Sequence, residues 1–254
     1  MKPSRSDPAQ TRARTHRPGP KAAVITGADG GIGSAVVTAY RDLGYAAVAV
    51  ATSRSIPDSG DPQVLACRGD LLESGVGERI TGAAMDRFGR IDTVVNSAGV
   101  YIGKPFTDYT DEDFDLIVGV NLRGFFNVSR SAIGAMLSRD EGGGHLVNLS
   151  TSLVDRPSSQ VPCALASLTK GGLNAVTKEL AIEFAGHGIR VNTVSLGVVH
   201  TPMNPEATPE LIARHPLGRI EEVDDAVQAI LYLEQASFVT GEILHVDGGQ
   251  SAGH

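Results

Sequence analysis

The chain has 254 residues, of which 41% are apolar, and this length is enough for one sizeable α/β domain. A formal net charge of −7 argues against a nucleic-acid surface or an anionic membrane as the partner. No apolar run approaches the ~20 residues that a membrane-spanning helix needs. The two cysteines, Cys67 and Cys163, lack neighbours with metal-ligand spacing, so we expect no metal site and a reducing, cytoplasmic location.

Residues 1–20 contain four arginines and several prolines but no apolar segment. This composition predicts a disordered N-terminal tail rather than a secretory signal, which needs an apolar core. Residues 21–254 show no repeats and no linker, so we expect them to form a single domain.

Short apolar runs alternate with stretches of helical periodicity along the chain, which predicts βαβ units and a parallel sheet covered by helices on both faces. With right-handed crossovers, seven such strands give a single-domain, doubly wound α/β sheet. Ligands of these sheets bind at the carboxyl ends of the strands. The predicted strands are 22–25, 46–51, 64–67, 92–96, 145–149, 190–194 and 242–246, and the predicted helices are 31–43, 73–88, 111–138, 163–186, 206–214 and 222–234.

A glycine-rich turn follows the first strand and reads Thr26-Gly27-Ala28-Asp29-Gly30-Gly31-Ile32-Gly33. A strand that feeds a helix through such a turn brings backbone N–H groups to a bound pyrophosphate, so we expect Asp29, Ile32 and the glycines to contact a dinucleotide. Gly27 can take a positive φ, Gly31 can leave room for phosphates, and Gly33 can allow close packing. The spacing is neither Gly-x-Gly-x-x-Gly nor a P-loop, and a purely structural turn is the alternative.

Ser53 and Arg54 follow the second strand, where NAD-binding proteins usually carry an acid that holds the ribose diol. A hydroxyl and a guanidinium suit a 2′-phosphate instead, so NADP(H) is favoured over NAD(H), unless Arg54 is simply a solvated loop charge. Asp70 and Leu71 follow the third strand, and the carboxylate can meet an adenine amino group. The alternative role for Asp70 is a helix N-cap, and both can hold.

Asn96-Ser97-Ala98-Gly99 follows the fourth strand, and its small residues, Ala98 and Gly99 among them, let a cofactor pass close to the backbone. Asn96 can also tie neighbouring strands together. Asn121 lies inside an apolar stretch of a predicted helix, where an unbonded amide costs roughly 1–3 kcal/mol. We therefore expect Asn121 to satisfy a backbone carbonyl or to position a water.

Three hydroxyls, Ser150-Thr151-Ser152, follow the fifth strand. Lys170 lies on the next predicted helix between apolar neighbours, so its burial requires a partner. The sixth strand leads into a segment that contains Gly197, Val199 and Thr201, and the final motif is Val246-Asp247-Gly248-Gly249.

Taken together, these motifs resemble the classical, single-domain branch of the short-chain dehydrogenase/reductase family over roughly residues 20–250. The resemblance implies a Rossmann-type fold and an NAD(P)(H)-dependent oxidoreductase that acts on a carbonyl or alcohol. It implies that the turn after Thr26 holds the cofactor pyrophosphate and that Asp70 faces the adenine. It also implies that Asn96 to Gly99 line the adenosine side and that Thr201 reaches the nicotinamide carboxamide.

The family transfers hydride while a Tyr, four residues before the Lys, moves a proton. Residues i and i+4 share a helix face, so the ammonium lowers the pKa of the phenol. Here Ala166 stands four residues before Lys170, and no Tyr occurs between Tyr109 and Tyr232. The resemblance places Thr151, with Ser152 beside it, at the catalytic hydroxyl, Asn121 at a water relay, and Lys170 also on the nicotinamide ribose.

The missing phenol leaves three hypotheses. In the first, the protein is an oxidoreductase whose proton comes from Lys170 with a water, which we favour, from a water relayed through Asn121 and Lys170, or from His200 or Tyr101. The second is a cofactor-binding protein with little or no reductase activity. The third is a dehydration, isomerisation or ring closure in which Lys170 or Ser152 takes a new role. The short side chains around Ala166 leave space for a bulky, aromatic or polycyclic small-molecule substrate.

The NADP-dependent members of the family often carry a basic residue in the glycine loop, where Asp29 and Gly30 stand here, so NAD(H) stays open as the alternative. A homo-oligomer, either a dimer or a tetramer, is also expected. The two long predicted helices carry apolar residues on more than one face, and the resemblance implies four-helix interfaces. These apolar residues include Phe125, Phe126, Leu173, Val176 and Ile182.

Overall fold

A parallel sheet of seven strands runs through the molecule in the order β3-β2-β1-β4-β5-β6-β7. The computed structural model describes residues 19–52 and 60–253. The predicted doubly wound α/β fold is confirmed. The strands are β1 (Ala22–Thr26), β2 (Ala46–Ala51), β3 (Val64–Arg68), β4 (Thr93–Asn96), β5 (Gly144–Thr151), β6 (Ile189–Leu196) and β7 (Ile243–Val246).

Strand β1 pairs with both β2 and β4, so the direction of strand order reverses beside it. The crevice outside the carboxyl ends of such strands is where doubly wound sheets bind ligands. Strands β5 and β6 are longer than predicted because their ladder continues to the pair Thr151 and Leu196. The hydroxyls of 150–151 therefore stand on the sheet edge itself.

The helices differ from the predicted ones mainly at three places. Residues 111–138 are interrupted by a π-helical segment, Gly119–Gly124. Helix α2 begins three residues later than predicted, after Gly75 with φ 72°. Helix α6 begins at Pro209 rather than at residue 206, because Pro209 holds Thr208 in an extended conformation, and it ends at Ile212. The helices are α1 (Gly31–Asp42), α2 (Val76–Phe88), α3 (Asp111–Val118), α4 (Phe125–Leu137), α5 (Ala164–Glu183), α6 (Pro209–Ile212) and α7 (Val223–Gln235).

Helices cover both faces of the sheet, as uniformly apolar strands require. On one face, α1 and α7 bury Tyr40 and Leu233 against β1 and β4. On the other face, α2 and α4 bury Ile80 and Met136 against β1, β4 and β5. No helix in the described part of the chain is long and apolar enough to cross a membrane.

A buried polar cluster closes the amino edge of the sheet. The Glu234 carboxylate accepts hydrogen bonds from Tyr45 Oη at 2.7 Å and from Thr93 Oγ1 at 3.1 Å, and it contacts His145 Nδ1 at 2.8 Å. Burial raises the pKa of this carboxyl, but the bonds from His145, Tyr45 and Thr93 outweigh it and leave the pKa at about 2. This cluster lies at the opposite end of the strands from the predicted ligand crevice.

Candidate active site

A cavity of about 1050 Å³ opens at the carboxyl ends of the strands. Among the predicted site residues that the structure describes, Asn96 and Asn121 alone do not line it. Ser53 and Arg54 lie outside the described residues, so the structure says nothing of them. The predicted residues on the cavity wall are Gly27, Asp29, Gly31, Ile32, Gly33, Asp70, Leu71, Ala98, Gly99, Thr151, Ser152, Lys170, Gly197, Val199 and Thr201.

The glycine turn packs too closely for side chains. Gly27 has φ 68°, and a Cβ there would lie 2.8 Å from Ala98 Cα. A Cβ on Gly33 would lie 2.1 Å from the Gly27 carbonyl oxygen, so the predicted close packing is confirmed. A Cβ on Gly31 would lie 3.0 Å from Thr201 Cγ2, which places the Thr201 loop directly across from the turn.

The amino end of α1 faces this turn without a side-chain cap, because Gly30 precedes the helix. Uncapped amide N–H groups at a helix start, together with the helix dipole, favour an anion. This geometry suits the pyrophosphate that the sequence predicts at this position.

Asp70 lies on the cavity wall after β3. Its Oδ1 accepts a hydrogen bond from Leu72 N at 2.9 Å. Because α2 begins only at Val76, Asp70 is not the N-cap of that helix, and this alternative was wrong. Asp70 instead closes a local turn and keeps its position next to the cavity.

Asn96 does not line the main cavity, and its contact with a cofactor stays a prediction. Its Nδ2 donates to Ser129 Oγ at 3.0 Å and to Asn148 Oδ1 at 2.9 Å. Both bonds lie in the interior and connect β4 to β5 and to α4. The prediction that Asn96 ties neighbouring strands is confirmed.

Asn121 lies in the π-helical segment and holds the loop after β4. Its Oδ1 accepts from Val100 N at 2.9 Å, and its Nδ2 donates to the Val100 carbonyl at 3.0 Å and to Thr169 Oγ1 at 3.2 Å. The amide therefore satisfies a backbone carbonyl, as predicted. With these bonds made, the side chain positions Val100 against α5 and leaves no free donor for a water.

Lys170 points from α5 into the cavity wall. Its Nζ donates to the Leu149 carbonyl at 2.8 Å, so the partner that its burial required is a neutral carbonyl. A Cβ on Gly99 would lie 3.2 Å from Nζ, which shows how closely the small loop residue approaches the ammonium. Burial lowers the pKa of Lys170 to about 8.

The hydroxyls near Lys170 have different surroundings. Thr151 Oγ1 accepts from Leu153 N at 3.3 Å. Ser152 is buried on the cavity wall, and its Oγ has no hydrogen-bond partner in the described structure. Since buried polar groups are normally bonded, an orphaned hydroxyl in a cavity indicates a place for a ligand. Ala166 lies on the same wall, 4% exposed.

The two alternative proton donors, Tyr101 and His200, lie in different places relative to the cavity. Tyr101 lines the cavity and is 43% exposed. His200 is exposed outside the cavity lining, where its Nε2 is 3.2 Å from the Pro205 carbonyl oxygen and its Nδ1 is 3.5 Å from Glu222. The structure therefore places Lys170 and Tyr101 at the site and removes His200 from it.

Sequence reasoning did not assign two polar residues on the cavity wall. The Arg214 Nε and the Gln250 Oε1 are both buried without a hydrogen-bond partner in the described structure. The sequence contains one weak signal for each residue. Arg214 is the one arginine in the segment 203–216, and Gln250 directly follows Gly248-Gly249.

Glu221 holds the loop after β6 at the cavity, and the sequence did not indicate this role either. Its Oε2 accepts from Gly197 N at 3.0 Å, and its backbone N–H donates to the Val198 carbonyl at 2.9 Å. Burial raises the pKa of Glu221 to about 8, with nearby Asp225 and Asp247 contributing. His215 adds a second support, because its Nε2 accepts from Val198 N at 3.1 Å.

Known proteins match this chain over nearly its whole length. A family model described as enoyl-(acyl carrier protein) reductase matches residues 27–251. A 3-oxoacyl-[acyl-carrier-protein] reductase of Thermotoga maritima is 32% identical over 248 residues, covering 90% of this chain and 97% of the relative. A 3alpha-hydroxysteroid dehydrogenase of Mediterraneibacter gnavus is 36% identical over 245 residues, covering 90% and 96%.

Solved structures give the same result. A 3-ketoacyl-(acyl-carrier-protein) reductase of Brucella melitensis in complex with NADH superposes with TM-score 0.85 at 30% identity, covering 92% of this chain and all of that one. A short-chain dehydrogenase/reductase of the same organism gives TM-score 0.83 at 31% identity, covering 91% and 96%. The fold, the motif order and these matches agree, and the chain belongs to the classical short-chain dehydrogenase/reductase family.

Proposed function

We propose that this protein is an NAD(P)(H)-dependent oxidoreductase that interconverts a carbonyl and an alcohol, with Lys170 moving the proton. The observation that carries the proposal is the Lys170 ammonium on the wall of one cavity with an unpartnered Ser152 hydroxyl and the glycine turn. The oxidoreductase names of the relatives support the reaction class.

The residues present fit a nicotinamide dinucleotide. The turn from Gly27 to Gly33, with Asp29, Ile32 and the uncapped start of α1, would hold the pyrophosphate. At the adenosine end, Asp70, Leu71 and the backbone of 96–99 would line the site. Gly197, Val199 and Thr201, with Lys170 on the ribose, would surround the nicotinamide, which when bound supplies or accepts the hydride.

Lys170 can perform the proton transfer because its pKa is about 8, which keeps ammonium and amine both populated near neutral pH. In the reduction, the carbonyl carbon gains the hydride, and the oxygen gains a proton from the ammonium through a water. Thr151 and Ser152 would polarise that oxygen. Loss of one general acid typically costs ~10²–10⁴-fold, while holding the reactants together retains a large part of the rate.

NADP(H) is our preferred cofactor, because Ser53 and Arg54 stand where an acid would favour NAD(H). We also propose a cytoplasmic homo-oligomer, a dimer or tetramer, made of one domain from residue 21 onward with a disordered tail before it. Calorimetric titration with NADPH and NADH tests the preference, and Arg54→Ala should weaken NADPH binding alone.

A second candidate is a cofactor-binding protein with little or no reductase activity, favoured by Ala166 at the position of the phenol. Against it, Thr151, Ser152 and Lys170 all stay on the cavity wall. A non-redox reaction such as dehydration, isomerisation or cyclisation would use the same cavity with Lys170 or Ser152 in a new role.

The test follows NADPH absorbance with a panel of ketones and quinones for the wild type and Lys170→Ala. Lys178→Ala is the matched control, since Lys178 lies two turns further along α5 and is exposed. We expect turnover that Lys170→Ala abolishes and Lys178→Ala retains.

Other outcomes favour the other candidates. Tight NADPH binding without turnover of any carbonyl favours a binding protein, and product without net cofactor oxidation favours a non-redox reaction. A chain with no affinity for either dinucleotide would contradict all three.

A further inference from the structure

One wall of the cavity carries a second positive charge besides Lys170, the Arg214 guanidinium. Arg214 follows α6, and its backbone N–H donates to the Leu211 carbonyl at 3.3 Å. The Nε is buried without a hydrogen-bond partner, and no salt bridge joins this guanidinium to a carboxylate within residues 19–52 and 60–253. The side chain as a whole is partly exposed, but its buried Nε donor is costly unless an acceptor reaches it.

Arg214 lies near Tyr101 on the cavity wall. Burial raises the pKa of Tyr101, the nearby Cys163 and Tyr109 raise it further, and the Arg214 guanidinium opposes them. Tyr101, Cys163 and Arg214 therefore share one corner. Cys163 directly precedes α5, three residues before Ala166, so this corner adjoins the wall that carries Lys170.

The cavity wall also carries apolar side chains. Leu153, Val161, Met203 and Leu211 line the cavity, and the buried Gln250 Oε1 adds a second polar atom without a partner. Apolar walls lower the local dielectric and strengthen attraction to an opposite charge. The planar fork of a guanidinium matches the two oxygens of a carboxylate or phosphate.

We propose that Arg214 binds an anionic group, a carboxylate or a phosphate, that the substrate carries, so the carbonyl compound reduced at this site is acidic. The inference rests on the proposed reductase function for the chemistry. The binding of the anion is inferred separately, from the Arg214 side chain that has no partner within the described residues.

The test uses three ketones with the same reacting group: acetoacetate, its neutral methyl ester, and acetoacetyl coenzyme A, whose negative charges are phosphates. Calorimetry measures their affinity for the protein–NADP⁺ complex, and NADPH oxidation measures kcat/KM. We expect Arg214→Met to weaken the binding of acetoacetate, of acetoacetyl coenzyme A, or of both by about 10- to 100-fold, the range of a charge-assisted pair. The affinity for the methyl ester should stay within about twofold.

The two anionic probes distinguish the source of the charge. A loss confined to acetoacetate assigns a carboxylate, and a loss confined to acetoacetyl coenzyme A assigns phosphate. Arg214→Lys should retain part of the affinity because it keeps the charge without the fork. Arg219→Met is the control, since Arg219 lies in the same loop but pairs with Asp225 outside the cavity.

Equal affinity of the wild type and Arg214→Met for acetoacetate and acetoacetyl coenzyme A would overturn the inference, and so would failure of all three probes to bind. A matching loss of NADPH affinity in Arg214→Met would assign the guanidinium to the cofactor phosphates instead. Binding that discriminates by charge without any NADPH oxidation would sink the reductase proposal and leave the anion site standing.

Discussion

The surroundings of the Lys170 side chain are unusual for a lysine. Its ammonium is held by a backbone carbonyl, no carboxylate within residues 19–52 and 60–253 pairs with it, and burial brings its pKa to about 8. In the family pattern the ammonium tunes a phenol four residues earlier. With Ala166 there, we infer that the ammonium itself becomes the group whose proton is exchanged near neutral pH.

Ala166→Tyr should restore the phenol and raise kcat/KM for a small ketone by roughly 10²–10⁴-fold, the usual contribution of a positioned general acid. The cavity offers room because Ala166 already lies on its wall. Steady-state kinetics measure the effect. Ala166→Phe is the matched control for bulk, and an equal gain in both variants would show that packing, not proton transfer, caused it.

Some site residues were recognisable from sequence because their chemistry is local. Gly27 and Gly33 lie in a turn whose spacing dictates close packing, and Lys170 lies in a largely apolar stretch of its helix. The direction of the Asn96 amide was not predictable in detail, because only the positions of Ser129 and Asn148 place its hydrogen bonds in the interior. Arg214 reaches the site by tertiary folding, which no local spacing predicts.

At the scale of elements, the π-helical segment is the main departure from prediction. The sequence periodicity of 111–138 is compatible with one continuous helix, and a single-turn change of helix type leaves little trace in it. The segment contains Asn121, whose amide clamps Val100 to α5. The π-helical segment therefore supplies the side chain that holds the cavity-lining loop at Val100.

The loop after β6 is supported by an ionisable group. Glu221 Oε2 accepts from Gly197 N, and its pKa near 8 lies well above the ordinary 4.5 because the carboxyl is buried. The folded state therefore holds this proton more tightly than the unfolded state does. Its contribution to stability is complete below about pH 4.5 and is lost as the pH rises through about 8.

Glu221→Gln should remove this dependence, because the amide keeps an acceptor for Gly197 and never ionises. We expect the variant to exceed the wild type in free energy of unfolding above pH ~9 by on the order of 1–3 kcal/mol, the cost of a poorly compensated buried charge. Urea unfolding of both proteins between about pH 5 and 10 measures the difference. Parallel pH profiles in the two proteins would refute the assignment.

At the scale of the whole molecule, the alternation of apolar runs and helical stretches was sufficient to predict the sheet. Right-handed crossovers restrict its topology further, and all seven predicted strands form. Strand ends were less predictable, because the polar residues 150–151 stay in register with β6. The buried cluster around Glu234 had no sequence signal, since its partners come from α1, β4 and β5 and from residue 45, before β2.

The outer faces of α4 and α5 expose apolar side chains. Phe126 is 53% exposed, Leu168 56% and Ile182 79%, whereas Leu173 packs inside the monomer. We expect these helices to pair in the proposed homo-oligomer. Ile182→Glu should therefore shift the protein to a smaller species in light scattering at micromolar concentration, because it places a charge in an apolar contact. A wild-type monomer under those conditions would contradict the assembly.

The most direct measurement of the central claim is the pH dependence of kcat/KM for ketone reduction by NADPH, compared between the wild type and Lys170→Arg. If Lys170 supplies the proton, wild-type reduction falls above about pH 8 and alcohol oxidation rises there, while Lys170→Arg loses this bend because its guanidinium stays protonated. A wild-type profile that is flat through pH 8, or the same bend in both proteins, would show that another group moves the proton.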